Sequence, residues 1–177
     1  MTECCASSSP CLATRIFSRS RRSSLPRART SRAGRASPKQ DHVSRLLVDY
    51  ALTGAHVVRL KSGDSGIFGR LEEELTAVRA AGIACEIIPG VTSASAAAAA
   101  AGIPLTRRQQ AQRVQFITAA DVTGNLPPGL NMAALADPNA TTVIYMGKRT
   151  FPALAEALIA HGLPPETPAL LAESVST

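Results

Sequence analysis

The chain has 177 residues, 45% of them apolar and 18% charged, which suffices for a buried core and excludes a collagen-like or wholly disordered protein. No run of 18 apolar residues occurs, since the Ala-rich stretch from Ala94 to Ala101 is interrupted by Ser95 and followed by Gly102-Ile103-Pro104, so no membrane partner is expected. The net charge of +6 is local: nine of the 19 Lys and Arg lie in residues 1–40 against one acid, Glu3, whereas the remaining 137 residues carry ten basic and twelve acidic side chains. The folded part therefore offers no basic face for nucleic acid. With no Trp, two Tyr and four Phe, it also has little material for stacking bases.

Residues 1–38 hold nine Ser and eight Arg without hydrophobic periodicity and read as a disordered segment. The same composition is compatible with an organelle transit peptide, or with a replacement of the ancestral N-terminus from another reading frame. Cys4, Cys5 and Cys11 fall in this segment at a spacing that matches no metal site, and Cys85, alone in an apolar run, reads as a reduced core residue.

From Lys39 onward helix and strand signals alternate. Val43, Leu46, Leu47, Tyr50 and Ala51 form one helical face that Gly54 can end, and His56 to Leu60 is strand-like. A glycine-bearing loop from Lys61 to Arg70 leads into a helix with Leu71, Leu75 and Val78 inward and Gly82 as its stop. Strands are expected at Ile83–Ile88, Arg113–Thr118, Thr141–Met146 and near Ala169–Ala172. Helices are expected at Thr92–Ala101, around Asn131–Ala136, and on the stripe Phe151, Leu154, Ala155, Leu158, Ile159 before Gly162. Such alternation predicts an α/β protein with mostly parallel strands. The expected organisation is an N-terminal α/β lobe over 39–112 and the first part of a C-terminal lobe over 113–177.

In open α/β sheets ligands gather beyond the carboxyl ends of the strands, and three loops stand there. Ser62-Gly63-Asp64 combines a residue that lets a ligand approach the main chain with a carboxylate acceptor; an ordinary turn with a solvated Asp is the competing reading. Pro89-Gly90-Val91-Thr92-Ser93 places two hydroxyls at a helix start, where they can bind a ligand or simply cap the helix. Tyr145-Met146-Gly147-Lys148 can flank a flat heterocycle, or Met146 can pack in a core. Neither a dinucleotide fingerprint nor a P-loop is present, and His42, His56 and His161 are scattered without metal-ligand spacing, so no metal is expected.

Taken together, these loops resemble the tetrapyrrole methylase family, most closely its uroporphyrinogen-III C-methyltransferase branch, from about Ala33 to Thr177. Val57-Val58-Arg59-Leu60-Lys61-Ser62-Gly63-Asp64 with Ile67-Phe68-Gly69-Arg70 is similar to V-V-R-L-K-G-G-D-P-F-I-F-G-R. Pro89 to Ala94 is similar to P-G-[IV]-T-[SA]-A, Ala101 to Thr106 to A-G-I-P-L-T, and Tyr145-Met146-Gly147 to Y-M-G. The resemblance implies a bilobal α/β fold, incomplete here at both termini, that binds S-adenosyl-L-methionine and acts as a cytoplasmic homodimer on a small-molecule tetrapyrrole. It implies cofactor contacts at Ser62, Gly63, Asp64, Ile67, Thr92, Ser93, Met146 and Val175. The implied reaction is C-methylation of uroporphyrinogen III to precorrin-2 in siroheme or cobalamin biosynthesis. Arg70, Arg107 and Arg108 are candidate partners for the substrate carboxylates, because guanidinium forks match carboxylate geometry.

The departures are specific. The family's opening G-x-G-P-G-D loop, with its proton acceptor, has no counterpart in residues 1–32. The lysine assigned as proton donor falls on Ser31, so no catalytic residue is assigned. Ser62 and Ser65 replace Gly and Pro of K-G-G-D-P, and Arg107 replaces the His of T-H-R. A non-catalytic homologue or gene fragment, and a methyltransferase for another precorrin, stand as alternatives.

Overall fold

The computed structural model describes residues 12–16 and 40–173, which divide into two compact units, Met1–Thr92 and Ser93–Thr177. The division precedes the 112/113 boundary expected from sequence. In the first unit, β1 (Leu12–Ile16) lies between β2 (Val57–Lys61) and β3 (Cys85–Glu86) and runs antiparallel to both. β2 and β3 therefore point the same way, as expected for strands joined through a helix, with a reversed strand in the slot between them. Leu12 pairs with Lys61, and Ile16 with both Val57 and Cys85. A strand at Leu12–Ile16 replaces the disorder expected over those five residues. Local composition gave no sign of it, because the neighbouring strands supply the backbone partners that the segment lacks on its own.

Helix α1 (Gln40–Leu52) and helix α2 (Leu71–Ala80) pack on each other, and Leu47, Ala51 and Val78 form a small core joined by Val48, Val57, Ile83 and Cys85. Cys85 is a free, half-buried thiol against this core, as its apolar surroundings in the sequence suggest. Only two residues of the expected strand 83–88 belong to β3. On α2 the inward stripe differs from expectation: Val78 is buried, but the other buried residue is Glu74, while Leu71 and Leu75 are only half-buried.

The second unit opens with α3 (Ser93–Ala100), followed by β4 (Arg113–Thr118), α4 (Met132–Leu135), β5 (Ala140–Tyr145) and α5 (Phe151–Ala160). β4 and β5 pair in parallel from Arg113 beside Ala140 to Thr118 beside Tyr145, with Gln115 Nε2 donating to Thr142 Oγ1 across the pair at 2.7 Å. Asn131 caps α4 by accepting from the Ala134 amide at 3.1 Å. Ala119, Leu135, Ala136, Leu154 and Leu158 make the core, extended by Ile117, Leu130, Met132 and Ile144. The strand expected near Ala169–Ala172 does not form: these residues are in no element and expose Leu170 and Leu171. An apolar run reads like a buried strand, yet it becomes one only where a neighbouring strand takes up its hydrogen bonds.

Leu154 is fully buried at the centre of the second core. Leu154→Ala is expected to cost about 2–5 kcal/mol, measured as a drop in the midpoint of urea unfolding followed by circular dichroism.

Candidate functional site

Two loops converge beyond the carboxyl ends of β2 and β3. The Asp64 carboxylate joins two loops there. Its Oδ1 accepts from the Gly66 amide at 2.7 Å within its own loop, and its Oδ2 accepts from the Gly90 amide at 2.9 Å in the turn after β3. The turn also closes through Ile67 N–H to the Asp64 carbonyl at 3.3 Å. The loops touch so closely that a side chain at Gly90 has no room: a Cβ there would land on the Gly63 carbonyl oxygen, 2.9 Å from its carbon and 3.1 Å from Asp64 Cα. Backbone atoms of residues 63, 64 and 90 are thus in direct contact, and the absence of a side chain at Gly90 is what lets the two loops meet.

The loop's far end is held from β2. Alternation along the strand puts Val57, Arg59 and Lys61 on one face. Val57 joins the apolar core, and the two cations meet Glu74, which is 3% exposed. Arg59 Nε donates to Glu74 Oε1 at 3.2 Å, Gln40 Nε2 to the same oxygen at 3.1 Å, and Lys61 Nζ to Oε2 at 3.0 Å. The Lys61 ammonium also donates to the Gly69 carbonyl. At Gly69 the backbone folds back on the loop, and a Cβ would clash with the Ser65 carbonyl.

Ser65 sits inside this fold at 5% exposure, and its Oγ has no hydrogen-bond partner among the described residues. A buried hydroxyl left unpaired keeps its desolvation cost without compensation.

Of the residues singled out from sequence, Ser62, Gly63, Asp64, Ile67, Arg70 and Thr92 lie in the first unit. Gly63, Asp64 and Ile67 are gathered at the loop junction, Thr92 is half-buried just past the Gly90 turn, and Ser62 is exposed. Asp64 differs from a solvated turn residue and from a free acceptor: both oxygens already brace backbone amides. Arg70, at the start of α2 with φ 55°, holds Glu73 by a fork, Nε to Oε1 and Nη2 to Oε2, each 2.7 Å. That hydrogen bond, followed by the charge of Arg70, keeps the Glu73 carboxyl below the usual carboxylate range, and in return the Arg70 guanidinium is raised.

Ser93, Arg107, Arg108 and Met146 belong to the second unit. Ser93 opens α3, Arg107 and Arg108 are exposed in a turn closed by paired backbone bonds between Arg107 and Ala111 at 2.9 and 3.0 Å, and Met146 is exposed with φ 56° after β5. Val175 lies outside the described residues. Glu74 escaped the sequence reading. Its signal was an acid at i+3 from Leu71 and i−4 from Val78, inside an apolar stripe, opposite a strand carrying cations at alternate positions.

The family model for tetrapyrrole (corrin/porphyrin) methylases matches residues 6–177. The chain belongs to the tetrapyrrole methylase family. It is 45% identical over 145 residues to the chloroplastic S-adenosyl-L-methionine-dependent uroporphyrinogen III methyltransferase of Arabidopsis thaliana, covering 82% of this chain and 39% of that protein. It is 49% identical over 146 residues to siroheme synthase of Tolumonas auensis, covering 82% of this chain and 31% of the relative. Among solved structures, uroporphyrin-III C-methyltransferase from Thermus thermophilus complexed with S-adenosyl homocysteine matches at 33% identity and a TM-score of 0.61, over 72% of this chain and 54% of that one. A cobalt precorrin-4 methyltransferase matches at 28% identity and a TM-score of 0.60. The chain thus spans about a third of the length of these curated relatives and about half of the solved structures. The family match also reaches residue 6, well before the Ala33 start seen in the motifs.

Two outcomes follow from this geometry. Ser65→Ala removes an unpaired buried hydroxyl and is expected to stabilise the protein by about 1 kcal/mol, read as a higher denaturant midpoint. The depressed pKa of Glu73 means that its pairing with Arg70 is present above the unfolded carboxylate pKa and is lost as pH falls through the folded value. Nitrogen NMR of the Arg70 guanidinium is expected to report its release only at a pH below the normal carboxylate titration.

Proposed function

We propose that this chain binds S-adenosyl-L-methionine and C-methylates uroporphyrinogen III to precorrin-2, a step toward siroheme or cobalamin. The observation that supports it is the junction of the Gly63 and Gly90 backbones under Asp64, at the sequence positions where the family's cofactor motifs fall. Close packing of the two turns supports it: a Cβ at residue 90 would strike the Gly63 carbonyl, and the exposed Ser62 hydroxyl beside this junction can donate to or accept from a polar adenosyl group.

In this reading Ser62, Gly63, Ile67 and Thr92 hold the cofactor, while Asp64 keeps the two loops in register and offers its remaining lone pairs. Ser93, Met146 and Val175 enter as individual candidates from the family motifs. When bound, the cofactor supplies an electrophilic sulfonium methyl. The chain's part is alignment of an electron-rich pyrrole carbon with that methyl and exclusion of competing geometries. Arg107 and Arg108 are the readier partners for substrate carboxylates, since Arg70 must first give up Glu73. No residue is assigned to the ring-proton removal. The reading includes a cytoplasmic homodimer; among the described residues no helix is long and apolar enough to cross a membrane.

A second reading, binding without turnover, is favoured by one feature: Ser65, where the family motif has Pro, leaves its buried hydroxyl unpaired inside the loop. Two measurements on the full chain separate the readings. Titration calorimetry with S-adenosyl-L-homocysteine is expected to show saturable binding that Gly90→Ala weakens at least about tenfold, a misplacement effect of the usual size; no heat with the parent chain rejects the cofactor site. Chromatographic detection of precorrin-2 from uroporphyrinogen III then decides turnover, and binding without product supports the non-catalytic homologue.

A further inference from the structure

Outside the Gly63–Gly90 junction, the Lys61 ammonium at the end of β2 bonds the Gly69 carbonyl of the 62–70 loop, and the same ammonium is held by the buried Glu74 carboxylate. We infer that Glu74 is a positioning residue for the cofactor loop, acting through the Lys61 ammonium on the Gly69 carbonyl; this rests on the cofactor reading above.

The argument is one of connectivity and burial. Lys61 is the last residue of β2 and Gly69 is close to the end of the loop, so a bond between them spans the loop's mouth. The Lys61 and Glu74 side chains are 10% and 4% exposed, so water competes weakly for either. A lysine side chain turns about four single bonds, and an ionised acceptor deep in the structure keeps its ammonium from swinging toward solvent. Glu74 Oε2 at 3.0 Å is that acceptor. Its other oxygen is held by Arg59 Nε and Gln40 Nε2, so the carboxylate plane is fixed from β2 and from the start of α1 before it meets Lys61. One carboxylate thereby sets the ammonium, the ammonium sets the Gly69 carbonyl, and the tight return of the chain at Gly69 against Ser65 passes that placement into the loop.

The test uses the full chain and two readouts: hydrogen exchange of the 62–70 amides without ligand, and the Kd for S-adenosyl-L-homocysteine. Glu74→Gln is expected to speed exchange in 62–70 about tenfold and to raise the Kd about tenfold, while amides of α5 keep their protection, in line with the loss usual for supporting residues behind a binding shell. Should Glu74→Gln fail to fold, Lys61→Met carries the same test, because it cuts the tether and leaves Glu74 paired with Arg59. Lys61→Arg, which keeps a cationic donor, is expected to hold the Kd within about threefold of the parent, a rescue that general destabilisation would not produce. In the double variant Glu74→Gln/Lys61→Met the losses are expected not to add, since both cut one path. Unchanged loop exchange in Lys61→Met, or additive losses in the double variant, overturns the inference. If the parent chain binds no S-adenosyl-L-homocysteine, the cofactor reading fails, and the exchange data still decide whether Glu74 places the loop.

Discussion

One buried carboxylate governs the first unit. Glu74 meets two cations and an amide out of water, where the cost of burying its charge offsets much of the pairing energy, so the group acts as a constraint more than as a source of net stability. Its location follows from α2, whose first turn carries three consecutive acids and favours negative charge at its N-terminal end. Two of them, Glu72 and Glu73, stay exposed, and Glu74 falls on the inward face because it lies four residues from Val78. The strand answers with the period of two that sets Val57 in the core and Arg59 and Lys61 beside the acid. Helix and strand periodicities thus meet at a single ion cluster, which also bonds the base of the loop between the two elements through Lys61 and the Gly69 carbonyl.

Asp64 repeats the device at the other end of the loop with backbone amides in place of cations. A side chain that accepts two main-chain bonds from separate loops fixes their spacing, and Gly90 allows the spacing to be small. The second unit is built on other terms. Its strand β4 and helices α4 and α5 meet in an apolar core of Ala119, Leu135, Ala136, Leu154 and Leu158, where shape and volume decide the packing.

Much of this was legible in the residues. The apolar stripe of α1, the glycine stops after α1, α2 and α5, and the strands β4 and β5 emerged within a residue or two of their observed ends, because periodicity and left-handed turns are local properties. The loops after β2 and β3 stood out for the same reason. Three features were not legible. The strand at Leu12–Ile16 lies in a segment whose composition argues for disorder, the apolar run at 169–172 takes no partner, and Glu74 is buried where its charge argues for solvent.

The linear order of residues therefore determined the family, the alternating α/β plan and the places where the main chain turns, since each depends on neighbours a few positions apart. Tertiary structure alone decided which turns lock together, which strand fills the slot beside β2 and β3, and which charges are paired out of water. Those outcomes depend on groups such as Lys61 and Glu74, or Asp64 and Gly90, that are distant in the chain and become partners only when folding removes the solvent between them.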